Sequence, residues 1–153
     1  MEHSSTIEFA DARERLSGSR RVVVKIGSAL LADSTPDPFA RLAVQVSNLK
    51  ARGLEVVVVS SGAIALGLKP LGFAARPKLL ADLQAAASVG QSILMARWRD
   101  AFEKHGLQVG QILLTHDDVD ARERYLNAQN ALRKLLEYNV VPIVNENDTV
   151  SVR

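Results

Sequence analysis

Four short aliphatic runs, separated by stretches of helical periodicity, constrain what this chain can fold into more than any other feature. They are Arg21 to Ile26 (RVVVKI), Leu54 to Val59 (LEVVVV), Leu107 to Leu114 (LQVGQILL) and Val140 to Val144 (VVPIV). The β-branched runs, with almost no polar alternation, read as buried strands. Thr35-Pro36-Asp37-Pro38 opens a helix after the first run, with Asp37 as N-cap and Pro38 as first helical residue. Phe39, Leu42, Ala43, Val46 and Leu49 follow at helical spacing, and Gly53 supplies a left-handed cap. A short helix is predicted near Ala63 to Gly67. A long one is predicted from Leu80 to His105, with Leu83, Ala87, Gly90, Leu94 and Trp98 on one face and Gly106 as its stop. A further helix runs from Asp120 to Tyr138, carrying Tyr125, Ala128, Leu132, Leu135 and Leu136 on one stripe, with Asp120 and Glu123 resembling a capping box. Strands alternating with helices imply an α/β fold with right-handed crossovers and a mostly parallel sheet covered on both faces.

In such sheets ligands bind beyond the carboxyl ends of the strands. That rule selects Gly27-Ser28, Ser60-Ser61-Gly62, Thr115 to Asp118 and Asn145-Glu146-Asn147-Asp148. Lys25 near the end of an apolar strand needs a partner, because an unpaired buried ammonium is costly. Either a phosphate meets it, with Gly27 letting the backbone approach, or it snorkels to solvent or pairs with a carboxylate. Ser61, Gly62 and Ala63 join a strand to a helix, where free N–H groups favour a carboxylate or phosphate; an ordinary N-cap serine is the commoner use of the pattern. The Asn145 to Asp148 cluster could hold an ammonium through Asp148 and a carboxylate through asparagine amides, or be a polar turn.

Composition removes several classes. Hydrophobic residues are 47% and charged residues 24% of the 153, a globular balance. Lys+Arg number 19 against Asp+Glu 17, and the basic residues form no long run, so no nucleic-acid partner is expected. With no cysteine there are no disulfides, thiolate metal sites or cysteine nucleophiles, which suits a reducing cytoplasm. The three histidines are scattered, so no metal site is expected, and no apolar run has the length of a membrane span. The signatures G-x-x-x-x-G-K-[ST] and G-x-G-x-x-G are missing. Residues 1–20 read as a polar tail, with a short helix around Ala10 to Leu16.

Four segments in order carry a resemblance: VVVKIGSALL (Val22 to Leu31), VVVVSSGAIALG (Val56 to Gly67), ASVGQ (Ala87 to Gln91) and VPIVNENDTV (Val141 to Val150). Together they resemble the glutamate 5-kinases of the amino-acid kinase superfamily, over Arg21 to Arg153. The K-x-G start is shared widely; SSGAIA-x-G with NEND is much more specific. The resemblance implies a three-layer α/β/α sandwich, ATP with Mg2+ as cofactors, and L-glutamate phosphorylated on its side-chain carboxylate at the start of proline synthesis in the cytoplasm. It implies that Lys25 lies against the transferred phosphoryl group, that Gly27 and Ser28 contact phosphate, and that Ser61, Gly62, Ala63, Asn145 and Asp148 hold glutamate. Asp118 matches a position tied to inhibition by proline. A homo-oligomer is implied as well.

The resemblance also implies that residues 21–153 are the N-terminal, glutamate-binding part of a longer kinase domain, incomplete at its C-terminus. The expectation is a chain cut short and inactive alone, its sheet edge and uncovered faces left to associate or to destabilise it. Two other readings stay open. One is a non-catalytic module that senses glutamate or proline; the other is the kinase half of a bifunctional pyrroline-5-carboxylate synthase.

Overall fold

The computed structural model describes residues 18–32 and 37–150. The short helix expected around Ala10 to Leu16, and the Thr35-Pro36 opening of the first long helix, lie outside the described residues. Within them the order is β1 (Arg21–Ile26), α1 (Ser28–Ala32), α2 (Pro38–Ala51), β2 (Glu55–Ser60), α3 (Ala63–Leu68), α4 (Leu80–Glu103), β3 (Val109–Leu114), α5 (His116–Asp120), α6 (Arg122–Glu137) and β4 (Val141–Glu146). All strands are parallel, in the order β1-β2-β4-β3. The parallel sheet expected from the sequence is present.

Local chemistry explains the helix ends. Asp37 caps α2, its carboxylate accepting from the Phe39 N–H at 3.1 Å, with Pro38 at the first turn where its missing donor costs nothing. Past the end of α2, Gly53 takes a φ of +85°, and past α4 Gly106 takes +69°, both in the left-handed region that favours glycine.

One face of the sheet carries the core. Val56 and Val58 of β2, Val141 and Ile143 of β4 and Ile26 of β1 pack against Phe39, Ala43 and Val46 of α2 and Leu94, Trp98 and Phe102 of α4. Trp98 is at its centre, edge-on to Phe39 at 4.7 Å and stacked on Phe102 at 5.8 Å between ring centroids. Losing an aromatic side chain of this kind typically costs about 3–5 kcal/mol. The opposite face is covered by α6 over β3 and β4, with the Leu135 side chain lying directly over Gly110. Between α6 and β1 that cover thins to a groove of about 300 Å³, lined by Val23, Val57, Tyr125, Leu132 and Leu136.

Several expectations are corrected here. β1 is not buried on both faces: it is an edge strand, and Arg21, Val23 and Lys25 on the α6 side are exposed, Val23 by 61%. The helix expected from Asp120 to Tyr138 is present as α6, and a short helix that the sequence did not suggest, α5, precedes it; the extended backbone of Ala121 ends α5 and begins α6. The Asp120–Glu123 capping box does not form. Instead Thr115 and Asp118 form one a turn earlier, because Thr115 supplies both the hydroxyl and the extended backbone an N-cap needs. Strand β4 runs on through Asn145 and Glu146, so half of the cluster expected after the strand lies within it.

Candidate functional site

The carboxyl ends of β1 and β2 are adjacent, Ile26 beside Ser60, and the next residues tie them together. Ser61 donates its hydroxyl hydrogen bond to the Ile26 carbonyl at 3.0 Å. Ser60 is buried and accepts from the Trp98 indole N–H at 3.1 Å, which fastens the end of β2 to α4. Neither serine caps the following helix; Gly62 does, at a φ of +100° and with no side-chain bond. A side chain at Gly62 would be strained, and its Cβ would lie 3.5 Å from Ser28. The turn after β2 therefore lies against the first residue of α1. Gly27, before Ser28, is exposed and has open space where a side chain would be.

Helix α3 is held against α4 by a close backbone approach at two glycines. A Cβ on Gly67 would meet the Ala86 carbonyl oxygen at 1.9 Å, and one on Gly90 would meet that of Ala63 at 1.7 Å. Two glycines quoted above for a resemblance thus have a steric reason: only hydrogen fits. Ala63, expected to touch glutamate, is buried at this crossing.

From β4, Asn145 is buried and donates from Nδ2 to Oε1 of Gln91 at 2.8 Å. The Gln91 Nε2 is buried with no partner, beside a recess of about 10 Å³, room for roughly one water. Ser88 and Thr149 share a hydroxyl hydrogen bond at 3.1 Å, which holds the segment after β4 against α4.

These turns enclose a cleft of about 200 Å³ lined by Ser28, Ser61, Gly62, Ile64, Ala65, Arg76, Asn145, Glu146 and Asp148. Burial pushes the Asp148 carboxyl above its ordinary range, Glu146 pushes it further, and Arg76 partly offsets both. Among the described residues no group of three His, Cys, Asp or Glu could hold a metal ion. No helix among them is long and apolar enough to cross a membrane.

Of the expected site residues, the structure brings Ser28, Ser61, Gly62, Asn145 and Asp148 to this one cleft. Ala63 lies behind it, lining the small recess with Asp148. Lys25 is exposed on β1 beside Val59, one residue before the strand ends, and has no hydrogen bond or ion pair among the described residues. Asp118 lies elsewhere, on the groove between α6 and β1. Its carboxylate accepts from the Thr115 N–H and hydroxyl, each at 2.7 Å, and pairs with Arg124 at 3.2 Å. Those Thr115 bonds, with a smaller contribution from Arg124, hold its pKa below the usual carboxylate value. Arg76 was missed from sequence. It lies between α3 and α4 in a stretch whose glycine and prolines signal only a loop, and local pattern says nothing about where a loop cation returns.

Residues 20–153 match the amino acid kinase family. The chain is 55% identical over 144 residues to the glutamate 5-kinase of Marinomonas sp. (strain MWYL1), covering 92% of this chain and 38% of that protein. It is 53% identical over 142 residues to the glutamate 5-kinase of Pseudomonas aeruginosa (strain UCBPP-PA14), covering 90% and 38%. To that of Methylococcus capsulatus it is 49% identical over 144 residues, covering 92% and 38%. The chain thus spans 38% of the length of these curated relatives. Among solved structures, Giardia carbamate kinase superposes with a TM-score of 0.55 at 13% identity, covering 84% of this chain and 58% of that one. Carbamate kinase from Giardia lamblia bound to AMP-PNP gives 0.51 at 15%, covering 86% and 57%. These two share the fold.

Proposed function

The chain belongs to the amino acid kinase family, and from that membership we propose that the protein carrying it transfers the γ-phosphoryl group of ATP to the side-chain carboxylate of L-glutamate. The observation that carries this reading is a cleft suited to an amino acid in a chain about half identical to glutamate 5-kinases. A carboxylate oxygen of glutamate attacks the γ-phosphorus, the bond to the ADP oxygen breaks, and glutamyl 5-phosphate and ADP leave. No enzyme nucleophile is required, because the substrate supplies its own. Positioning and charge stabilisation do most of the work in such transfers.

In this reading Asp148 receives the substrate ammonium, and Asn145, Ser61, Gly62 and Ala63 hold the rest of glutamate. Gly27 and Ser28 meet phosphate, and the Lys25 ammonium offsets charge on the transferred group. The open space at Gly27, and the lack of an ion pair at Lys25 among the described residues, are compatible with those roles. Bound with ATP, Mg2+ would supply charge neutralisation on the phosphates and would need only one or two protein carboxylates. Glu146, the cleft carboxylate not assigned to the substrate ammonium, would be the one to meet such a phosphate-borne ion, and among the described residues no all-protein cage is present. The resemblance supports the remaining parts of the proposal: the first step of proline synthesis, inhibition by proline through Asp118, a homo-oligomer and a cytoplasmic setting.

Hydroxylamine traps acyl phosphates. The whole protein with glutamate, ATP and Mg2+ should form glutamyl hydroxamate, and none should form when ATP is omitted. ATP-dependent product from carbamate but none from glutamate would overturn the substrate assignment.

A further inference from the structure

We propose that Arg76 is a specificity-determining residue that receives the α-carboxylate of the amino-acid substrate in the cleft containing Asp148. This deepens the glutamate kinase reading above and rests on it. Arg76 is the one cation among the described residues lining the cleft, where it faces a lining that holds two carboxylates, Glu146 and Asp148. Glutamate brings two carboxylates of its own and one ammonium. The ammonium has a partner in Asp148. The side-chain carboxylate must stay free to attack phosphorus, so an unmatched α-carboxylate would enter a cleft already carrying negative charge.

Arg76 supplies the missing complement. Its guanidinium can grip a carboxylate with two parallel N–H donors, a geometry lysine cannot reproduce. Although it acts electrostatically on Asp148, no ion pair joins the two. The cation and anion are therefore set apart within one cleft, the arrangement a zwitterionic α-amino acid requires. Serine hydroxyls and the Gly62 turn then form the remaining wall.

Two variants of the whole protein, Arg76→Gln and Arg76→Lys, test this against glutamate and isoglutamine, which keeps the ammonium and side-chain carboxylate but has a neutral α-amide. Calorimetric binding and hydroxamate kinetics are both read. Arg76→Gln should weaken glutamate binding and raise its KM roughly tenfold or more, the loss expected for a charge-assisted pair. The ATP KM should stay within about twofold, and isoglutamine should bind the variant and the wild type alike. Arg76→Lys should recover part of the glutamate affinity. Unchanged glutamate binding in Arg76→Gln, or equal losses for glutamate and isoglutamine, overturns the proposal. Wild-type protein that binds glutamate but forms no hydroxamate fails the kinase reading alone, and the binding comparison still decides Arg76.

Discussion

Burial and the neighbouring Glu146 both push Asp148 towards its neutral form, yet the proposed chemistry asks it to meet an ammonium as a carboxylate. The two demands have opposite signs, which makes the residue informative. A carboxyl whose folded pKa exceeds its unfolded one binds protons more tightly in the folded state. Its ionised form therefore costs stability at neutral pH. That cost is fully present above the raised folded pKa, shrinks as the pH falls through it, and vanishes below the ordinary carboxylate value. Asp148→Asn keeps the shape and removes the charge. It should raise the Tm at pH 7, and the gain should fade in acid. The same substitution should raise the glutamate KM about tenfold or more, since a hydrogen bond to a charged group contributes roughly 1.5–3 kcal/mol. A lower Tm at pH 7, or parallel rises in the glutamate and ATP KM, would assign Asp148 to the fold instead. Lys25 is the contrasting case: exposed and without an ion pair among the described residues, it is expected to contribute little to stability. Lys25→Ala should leave the Tm nearly unchanged and lower kcat by about a hundredfold or more, the loss typical of a group aimed at transition-state charge. Near-wild-type turnover would return it to an ordinary strand-end lysine.

At the scale of elements, the crossing of α3 on α4 decides where the cleft wall stands. Replacing glycine by alanine within a helix normally gains about 1 kcal/mol of propensity. At Gly90 the added methyl would lie 1.7 Å from a backbone carbonyl, and backbone cannot turn aside as a side chain can. Overpacking typically costs about 1–3 kcal/mol, so the clash outweighs the propensity and Gly90→Ala should be destabilising in urea titration. Because α4 is anchored in the core through Leu94, Trp98 and Phe102, separation should displace α3, whose N-cap Gly62 and first residue Ala63 bound the site. Glutamate binding should weaken with stability, whereas a stable variant with unaltered binding would show that α3 can move without moving the cleft.

For the molecule as a whole, size sets the limit. A cleft of about 200 Å³ suits an amino acid and is smaller than the roughly 300–1,000 Å³ of most ligand pockets, so a nucleotide bound beside glutamate would need walls beyond the residues that line it. In-line transfer needs both reactants positioned together. The 153-residue chain by itself is therefore expected to form no glutamyl hydroxamate under conditions where the whole protein does. A purified chain of verified mass with a comparable rate would show that it assembles a complete nucleotide site.

The legibility of this protein follows the range of the forces involved. Strand and helix types, their order and the parallel sheet were readable because each depends on local patterning: the β-branched runs, the Asp37-Pro38 start, the glycines past α2 and α4. The gathering of Ser61, Gly62, Asn145 and Asp148 at one rim was also readable, since parallel strands must present their carboxyl ends together. Sequence misjudged the edge position of β1, because strand order depends on which strands pair and no run records its neighbours. It missed the short helix α5, because the capping box of Thr115 and Asp118 was passed over for the Asp120 and Glu123 pair downstream. It could not separate a glycine that stands in open space from one that admits a helix: Gly27 has open space beside it, while Gly67 and Gly90 touch backbone. Arg76 was out of reach for the same reason. A loop cation reaches the cleft through contacts between residues distant in the chain, and only the folded packing of β4 beside α3 and α4 brings Asp148 into its field.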